Sequence, residues 1–151
     1  MNLSNQKSFL ELKSIWKDEH MFELKVIASN AYFKGETEVY DQFENVADFA
    51  ETLISYPKND ETLFYEAGIK DDYSYFSMKY YPIDKNGHIG VEINIESNVS
   101  TTYRPEEKNK LKLEIIVELN AIDNFQKELI DLVKNEDGIA ILFGNDNILD
   151  N

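Results

Sequence analysis

The amino-acid sequence predicts an α+β protein built on a mostly antiparallel sheet or on two packed sheets. Three observations lead to this fold class. Long segments alternate apolar and polar residues with the period of two that a half-buried strand requires. Two further segments repeat apolar residues at the i, i+3, i+4, i+7 spacing of an amphipathic helix. The predicted strand connections are too short for parallel crossovers, so the order βββ-α-ββββ-α describes antiparallel neighbours.

The first part of the chain predicts three strands. They lie at residues 9–16, 21–29 and 32–40. In the first strand, Leu10 and Leu12 share one face and Lys13 lies on the other. Gly35 interrupts the third strand, and because a glycine weakens a strand interior, it indicates a β-bulge at that point.

Two helices are predicted, at residues 45–55 and 121–135. Their buried stripes are Val46, Phe49, Ala50, Leu53 and Ile54 in the first helix and Ile122, Phe125, Leu129, Leu132 and Val133 in the second. Asn45 and Asn120 are the predicted N-caps, because a short amide side chain can accept a hydrogen bond from the first free backbone amides. Pro57 stops the first helix and Gly138 ends the second.

A β-hairpin organises the rest of the sequence. The predicted later strands lie at residues 61–67, 73–82, 88–97 and 110–119, and residues 139–143 indicate a short last strand. Asn86 and Gly87 predict a tight hairpin turn, because both residues tolerate the positive φ that such a turn needs. The whole chain, 1–151, fits a single domain, and we expect residues 1–7 and 144–151 to be frayed ends.

The charge and composition of the chain limit the possible partners. The formal net charge is −14, which argues against binding nucleic acid or anionic lipid and favours a cationic partner. There is no cysteine, so thiolate chemistry and disulfides are excluded. We find no signal peptide and no apolar run long enough for a membrane helix, and we therefore expect a cytoplasmic protein.

No catalytic or metal-binding pattern emerges from the sequence. The two histidines, His20 and His88, fall in predicted turns far apart, where solvated positions account for them. Residues 84–88 begin like a calcium loop, but Ile89 and Ile95 stand where that loop needs glycine and a bidentate glutamate. We therefore predict no catalytic residue, no cofactor and no metal. The function we predict is that of a non-enzymatic binding protein. Two alternatives remain: a small carboxylate-based hydrolase or metal-dependent enzyme, and a structural or oligomer-forming domain.

Acidic residues concentrate between Gly35 and Met78, where eleven acids accompany only two lysines. Tyrosine and phenylalanine are interleaved with these acids. Charges of this kind steer a basic protein towards the surface and aromatic side chains anchor it. The predicted partner-binding residues are Glu36, Glu38, Tyr40, Asp41, Phe43, Glu44, Asp71, Asp72, Tyr73 and Tyr75. The competing interpretation is an acidic, solvated face with its tyrosines in the core.

The layout of the chain resembles a known family. Phe-Leu-Glu-Leu-Lys-Ser-Ile (9–15) is followed closely by Phe-Glu-Leu-Lys-Val (22–26), an acidic strand, a short helix, a β-meander and a second helix. Over about residues 8–135 this resembles the small bacterial immunity proteins of the wall-associated-protein type, which protect a cell against a polymorphic toxin. The resemblance implies a cytoplasmic, non-enzymatic inhibitor of a cognate basic toxin, often a nuclease. The acidic region would then mimic the anionic substrate of the toxin.

Overall fold

The structure, a computed structural model, describes residues 8–98 and 104–145. The elements are, in chain order, β1 (Phe9–Lys17), β2 (Met21–Ser29), β3 (Lys34–Gln42), α1 (Phe43–Thr52), β4 (Leu63–Gly68), β5 (Ser74–Pro82), β6 (His88–Ser97), β7 (Lys110–Glu118), α2 (Leu119–Asn135) and β8 (Ile139–Phe143). A 3-10 turn at Pro105–Glu107 precedes β7. Of the expected frayed ends at 1–7 and 144–151, residues 1–7 and 146–151 lie outside the described residues. Residues 144 and 145 are not frayed, because the amides of Gly144 and Asn145 donate hydrogen bonds of 2.8 and 2.7 Å to the carbonyl oxygens of Ser8 and Ile116.

The strands form two four-stranded antiparallel sheets, which confirms the predicted α+β class. The first sheet has the order β3-β2-β1-β8 and the second has the order β4-β5-β6-β7. Of the two arrangements that the sequence left open, the described residues show two sheets. The predicted short last strand is present as β8, which pairs with β1.

The core forms because apolar and polar side chains alternate along the strands, so that each strand turns its apolar side chains inward. Leu12 on β1 lies opposite Val26 on β2, and both are buried, whereas the neighbouring Lys13 is exposed. In the second sheet, Ile93 on β6 lies between Met78 on β5 and Leu113 on β7. The inward faces of both sheets join the apolar stripes of the two helices in one hydrophobic core. Burial of each such side chain stabilises the fold by roughly 1.5–3 kcal/mol.

Strand β3 connects the two sheets by crossing one end of the second sheet. Close to its start, a Cβ at Gly35 would lie 2.6 Å from Cδ2 of Leu111 on β7, so a larger residue there would require the Leu111 side chain to move. Two residues further on, the Thr37 hydroxyl donates a hydrogen bond of 2.8 Å to the carbonyl oxygen of Glu96 on β6. The close approach explains this glycine. The predicted bulge at Gly35 is wrong, because β3 keeps an unbroken register with β2.

Both helices begin before the predicted caps. The N-cap of α1 is Gln42 and that of α2 is Glu118, so the assignments of Asn45 and Asn120 as caps are wrong. The physical reason in α1 is Phe43, whose buried ring extends the apolar stripe by one turn. No helix among residues 8–98 and 104–145 is long and apolar enough to cross a membrane.

The second helix also protects an edge of the first sheet. The Glu128 carboxylate accepts a hydrogen bond of 2.8 Å from the backbone amide of Ile141 on β8. An exposed strand edge carries unpaired amides that can pair with another chain. Glu128 on α2 therefore satisfies the Ile141 amide at the β8 edge of the first sheet.

The hairpin between β5 and β6 has a longer turn than predicted. Of the turn residues 83–87, all of which the structure describes, only Gly87 has a positive φ, 86°. Asp84 organises the turn by accepting a hydrogen bond of 2.7 Å from the amide of Asn86. Its other carboxylate oxygen lies 2.7 Å from Nδ1 of His88, so His88 is half-buried at the start of β6 rather than a solvated turn residue.

Candidate functional site

A cleft of about 200 Å3 opens where the outward face of β3 meets the turn between β4 and β5. Its lining residues are Tyr40, Gly68, Ile69, Asp72, Tyr73 and Ser74. Tyr40 comes from one part of the predicted partner-binding surface, and Asp72 and Tyr73 come from the other. The crossing of β3 over the end of the second sheet therefore brings together residues that are about thirty positions apart.

Specific contacts fix the backbone conformation of the β4–β5 turn. Gly68 has a φ of 82°, and a Cβ there would lie 2.4 Å from the carbonyl oxygen of Ser74. The amide of Ile69 donates to the same carbonyl at 3.1 Å, which closes the turn. The buried Glu96 carboxylate accepts a hydrogen bond of 2.8 Å from the amide of Asp71. These contacts hold Ile69 and Tyr73 outward, where both are more than half exposed.

Trp16 extends the aromatic surface beside Tyr40. A register shift between Ser14 and Trp16 places Trp16 opposite Glu23 on β2, and Glu23 lies opposite Tyr40 on β3. Without this β-bulge, Trp16 would follow Leu12 and Ser14 into the core. Instead its ring stands edge-on to Tyr40, with ring centroids 6.0 Å apart and planes at 82°. We call Trp16, Tyr40, Ile69, Asp72 and Tyr73 the aromatic cleft.

The aromatic cleft has a negative rim. The charge of Glu23 is the largest cause that raises the pKa of the Tyr40 hydroxyl, and the charge of Glu38 adds to it. This pKa direction shows that both carboxylates act on the same aromatic side chain. Asp72 supplies a third carboxylate, and it is a residue of the cleft lining. The site therefore combines exposed rings with negative charge, an arrangement that attracts cations.

Three of the predicted acids are engaged within the protein. Asp41 accepts a hydrogen bond of 2.5 Å from the Tyr65 hydroxyl and another of 2.8 Å from the Asn45 side chain. Glu36 lies 3.4 Å from the ammonium of Lys25. Asp71 forms an ion pair with Lys110.

The predicted surface is also narrower than the sequence indicated. Phe43 is buried, with its ring 4.5 Å from that of Phe22, because it begins the apolar stripe of α1. Tyr75 is buried on the outward face of the second sheet and donates a hydrogen bond of 2.8 Å to Glu66. Neither ring is exposed enough to be a surface anchor. Glu38, Tyr40 and Tyr73 are exposed, Asp72 is half-buried in the cleft lining, and Glu44 is exposed in the first turn of α1.

Replacement of Tyr65 by Phe is expected to lower the free energy of unfolding by about 1.5–3 kcal/mol, since the variant loses a hydrogen bond to a charged group. The measurement is urea unfolding of both proteins. Tyr56→Phe is the matched control, because the Tyr56 hydroxyl donates at 2.7 Å to the neutral carbonyl of Glu61. We expect the control to lose only about 0.5–1.5 kcal/mol. Equal losses would contradict a charge-assisted bond at Asp41.

Replacement of Asp71 by Asn should lower stability at neutral pH and not in strong acid. The hydrogen bond and charge of Lys110 lower the pKa of Asp71 in the folded protein. A lowered carboxyl pKa stabilises the fold above the unfolded value, about 3.9 for Asp, and this contribution disappears as pH falls through the folded pKa. Thermal unfolding from pH 7 to pH 2 should show the difference shrinking below about pH 4.

Asp60→Asn is a control for that experiment, because Asp60 is exposed and also has a positive φ, 56°. It measures how replacing a carboxylate by an amide changes the stability of the protein at a residue in the left-handed conformation. If the wild-type protein remains more stable than Asp71→Asn by the same amount down to pH 2, the ion pair is not the cause of the difference in stability.

The sequence did not identify Trp16, Glu23 and Ile69 as part of the site. One signal was present for Trp16. Ile15 and Trp16 are consecutive large apolar residues in an otherwise alternating strand, and such a break in alternation indicates a change of phase. Glu23 and Ile69 carry no comparable signal, since their place beside Tyr40 follows from strand register and from the crossing of the sheets.

Two observations bear on the enzyme alternatives that the sequence left open. Among residues 8–98 and 104–145, no group of three or more His, Asp or Glu side chains is arranged to hold a metal ion. Hydrogen bonds lower the pKa of the Asp18, Asp71 and Asp84 carboxyl groups. A general acid of a glycoside hydrolase needs the opposite direction.

A second cavity, of about 240 Å3, lies at the start of α2. Its lining residues are Glu118, Asn120, Ala121, Asn124, Ile141, Phe143, Gly144 and Asn145. Its lining contains a single carboxylate and no basic group, so it offers neither a carboxylate pair nor a positively charged side chain for an anion.

Fold and site together define an α+β protein with an acidic, aromatic surface cleft. No protein-family model, curated protein or solved structure matches the chain.

Proposed function

We propose that this protein is a non-enzymatic, cytoplasmic binding protein that neutralises a basic protein partner, in the manner of an immunity protein and its toxin. The observation that carries the proposal is the aromatic cleft. Tyr40, Tyr73 and Trp16 are each about half exposed or more, and the carboxylates of Glu23, Glu38 and Asp72 lie around them. Aromatic anchors surrounded by one sign of charge are the features that give a protein interface its affinity and its fast association.

The overall charge supports a strongly basic partner. The net charge of −14 produces a negative potential that attracts cationic proteins and speeds their encounter. A nuclease domain is such a partner, because it must bind the phosphates of its substrate with Lys and Arg. A negative surface that occupies the same basic groups would block access of the nucleic acid. We therefore propose a toxin nuclease as the partner class.

The partner can be identified by affinity capture with matched bait proteins. One bait is the wild-type chain, and the second is Glu38→Gln/Asp72→Asn, which removes two charges from the cleft with little change in shape. The control bait is Asp123→Asn/Asp131→Asn, which removes two charges from exposed positions on α2. We expect a basic protein that the wild-type and control baits retain and the cleft bait loses. Equal retention by all three baits would reject the cleft as the binding site.

The captured protein then allows a direct test of neutralisation. Its expression in a cell should stop growth, and co-expression of the wild-type chain should restore growth. Association measured by stopped flow should slow steeply between about 50 and 500 mM salt, because the charges that steer the encounter are screened. An association rate that does not change with salt, or a partner that is harmless when expressed alone, would contradict the proposed function.

A further inference from the structure

We propose that the aromatic cleft binds the guanidinium group of a single arginine side chain of the partner. This inference rests on the proposed function and makes it more specific. The structural basis is the combination of a cavity of about 200 Å3, two exposed tyrosine rings in its lining, and three carboxylates, one in the lining and two beside Tyr40 on β2 and β3. A cavity of this size suits one long side chain rather than a folded segment.

The rings favour a flat cation. Tyr40 comes from β3 and Tyr73 comes from the β4–β5 turn, so the cleft has an aromatic ring from each of two independent elements. Trp16 stands edge-on to Tyr40, with the ring centroids 6.0 Å apart, and adds a third ring beside the cleft. A guanidinium is planar and weakly hydrated, and it stacks on aromatic faces more readily than an ammonium does.

The charges favour the same ligand. Glu23 and Glu38 both act on the Tyr40 hydroxyl, and Asp72 lines the cavity. Carboxylates can accept paired hydrogen bonds from the fork of a guanidinium. The protein's own nearby lysines have other acidic neighbours, since Lys17 lies 3.4 Å from Glu136 and the charge of Lys70 acts on Asp71.

The occupant is an arginine of the partner rather than an apolar side chain. An apolar ligand would gain from the rings and from Ile69, but it would leave Asp72 desolvated without a counter-ion, which costs free energy. A positive side chain gains from the rings and the carboxylates together. The charge of the whole chain, −14, acts in the same direction.

The test uses the full chain and a small probe, so it does not depend on finding the partner. The probe is Nα-acetyl-arginine amide, and its neutral control is Nα-acetyl-citrulline amide, which has almost the same shape. Trp16 is the only tryptophan, so its indole N–H resonance in an NMR spectrum reports on the cleft alone. We expect a saturable shift with the arginine probe and at least roughly fivefold weaker binding of the citrulline probe.

Two variants locate the binding. Tyr73→Leu keeps an apolar side chain but removes one ring face, and it should weaken the arginine probe about two- to fivefold. Tyr32→Leu removes an even more exposed ring outside the cleft and should leave probe binding unchanged. Tyr73 lies in an exposed turn, so folding of its variant is checked by thermal unfolding.

Equal binding of the arginine and citrulline probes, no saturable shift, or equal effects of the two variants would overturn the inference. The outcomes also separate this inference from the proposed function. If the arginine probe fails while a basic partner is still lost with the Glu38→Gln/Asp72→Asn bait, the arginine site is wrong and the function stands. If the probe binds as expected but none of the baits captures a basic protein, the proposed function is wrong and the arginine site stands.

Discussion

Replacement of Ile93 by Asp is expected to abolish the cooperative unfolding transition of this protein. Ile93 is fully buried in the centre of β6, between Met78 and Leu113. The variant loses roughly 1.5–3 kcal/mol of hydrophobic stabilisation and must also bury or neutralise a carboxylate, which costs several kcal/mol more. Domains of this size are stable by only about 5–15 kcal/mol in total. Circular dichroism during urea titration measures the outcome.

The adjacent residue provides the matched control. Glu92 lies on the opposite face of β6, where its carboxylate is 3.6 Å from the ammonium of Lys112. Glu92→Gln changes a charge one position away from Ile93, yet it should alter the free energy of unfolding by less than about 1 kcal/mol, because ion pairs at the protein surface contribute little. A cooperative transition in the Ile93→Asp variant at the wild-type midpoint would mean that the inward face of β6 is wrongly assigned.

Replacement of Tyr40 or Tyr73 by Ala should each weaken partner binding by about 2 kcal/mol or more, roughly thirtyfold. Both rings line the aromatic cleft and are more than half exposed in the free protein. A tyrosine that becomes desolvated in an interface loses a large contact area when it is truncated. Titration calorimetry with the captured partner measures the change.

Tyr32→Ala is the control for that titration. Tyr32 is 89% exposed but lies in the β2–β3 turn and is not among the residues that line the cleft. It tests whether any exposed aromatic ring contributes. We expect a change below about 0.5 kcal/mol. If Tyr32→Ala loses as much binding free energy as Tyr40→Ala, the binding surface lies elsewhere on the first sheet.

The sequence predicted the elements well because their signals are local. Alternation identifies a strand such as β6 from ten consecutive residues, and the 3.6-residue period identifies α2 in the same way. The errors arose where a distant contact overrides a local preference. Gly35 looked like a bulge, but its lack of a side chain serves the approach of Leu111, which is 76 positions away. No local pattern contains that contact.

The candidate site was predicted only in part for the same reason. Charge density along the chain identified the acidic segment and therefore Glu38, Tyr40 and Tyr73. It could not show that Asp41 accepts a hydrogen bond from Tyr65, because that hydrogen bond depends on how β3 crosses the second sheet. It also missed Trp16, whose outward position depends on a register shift against β2.

The central claim is that the aromatic cleft is the surface that binds a basic partner. Amide hydrogen exchange of the full chain, measured with and without the captured partner, tests it most directly. We expect slower exchange in the complex at residues 38–42 and 68–74, the segments of β3 and of the β4–β5 turn that contain the lining residues of the cleft. We expect no change on the exposed side of α2. Protection confined to α2 or to the β5–β6 turn, with residues 68–74 exchanging as in the free protein, would contradict it.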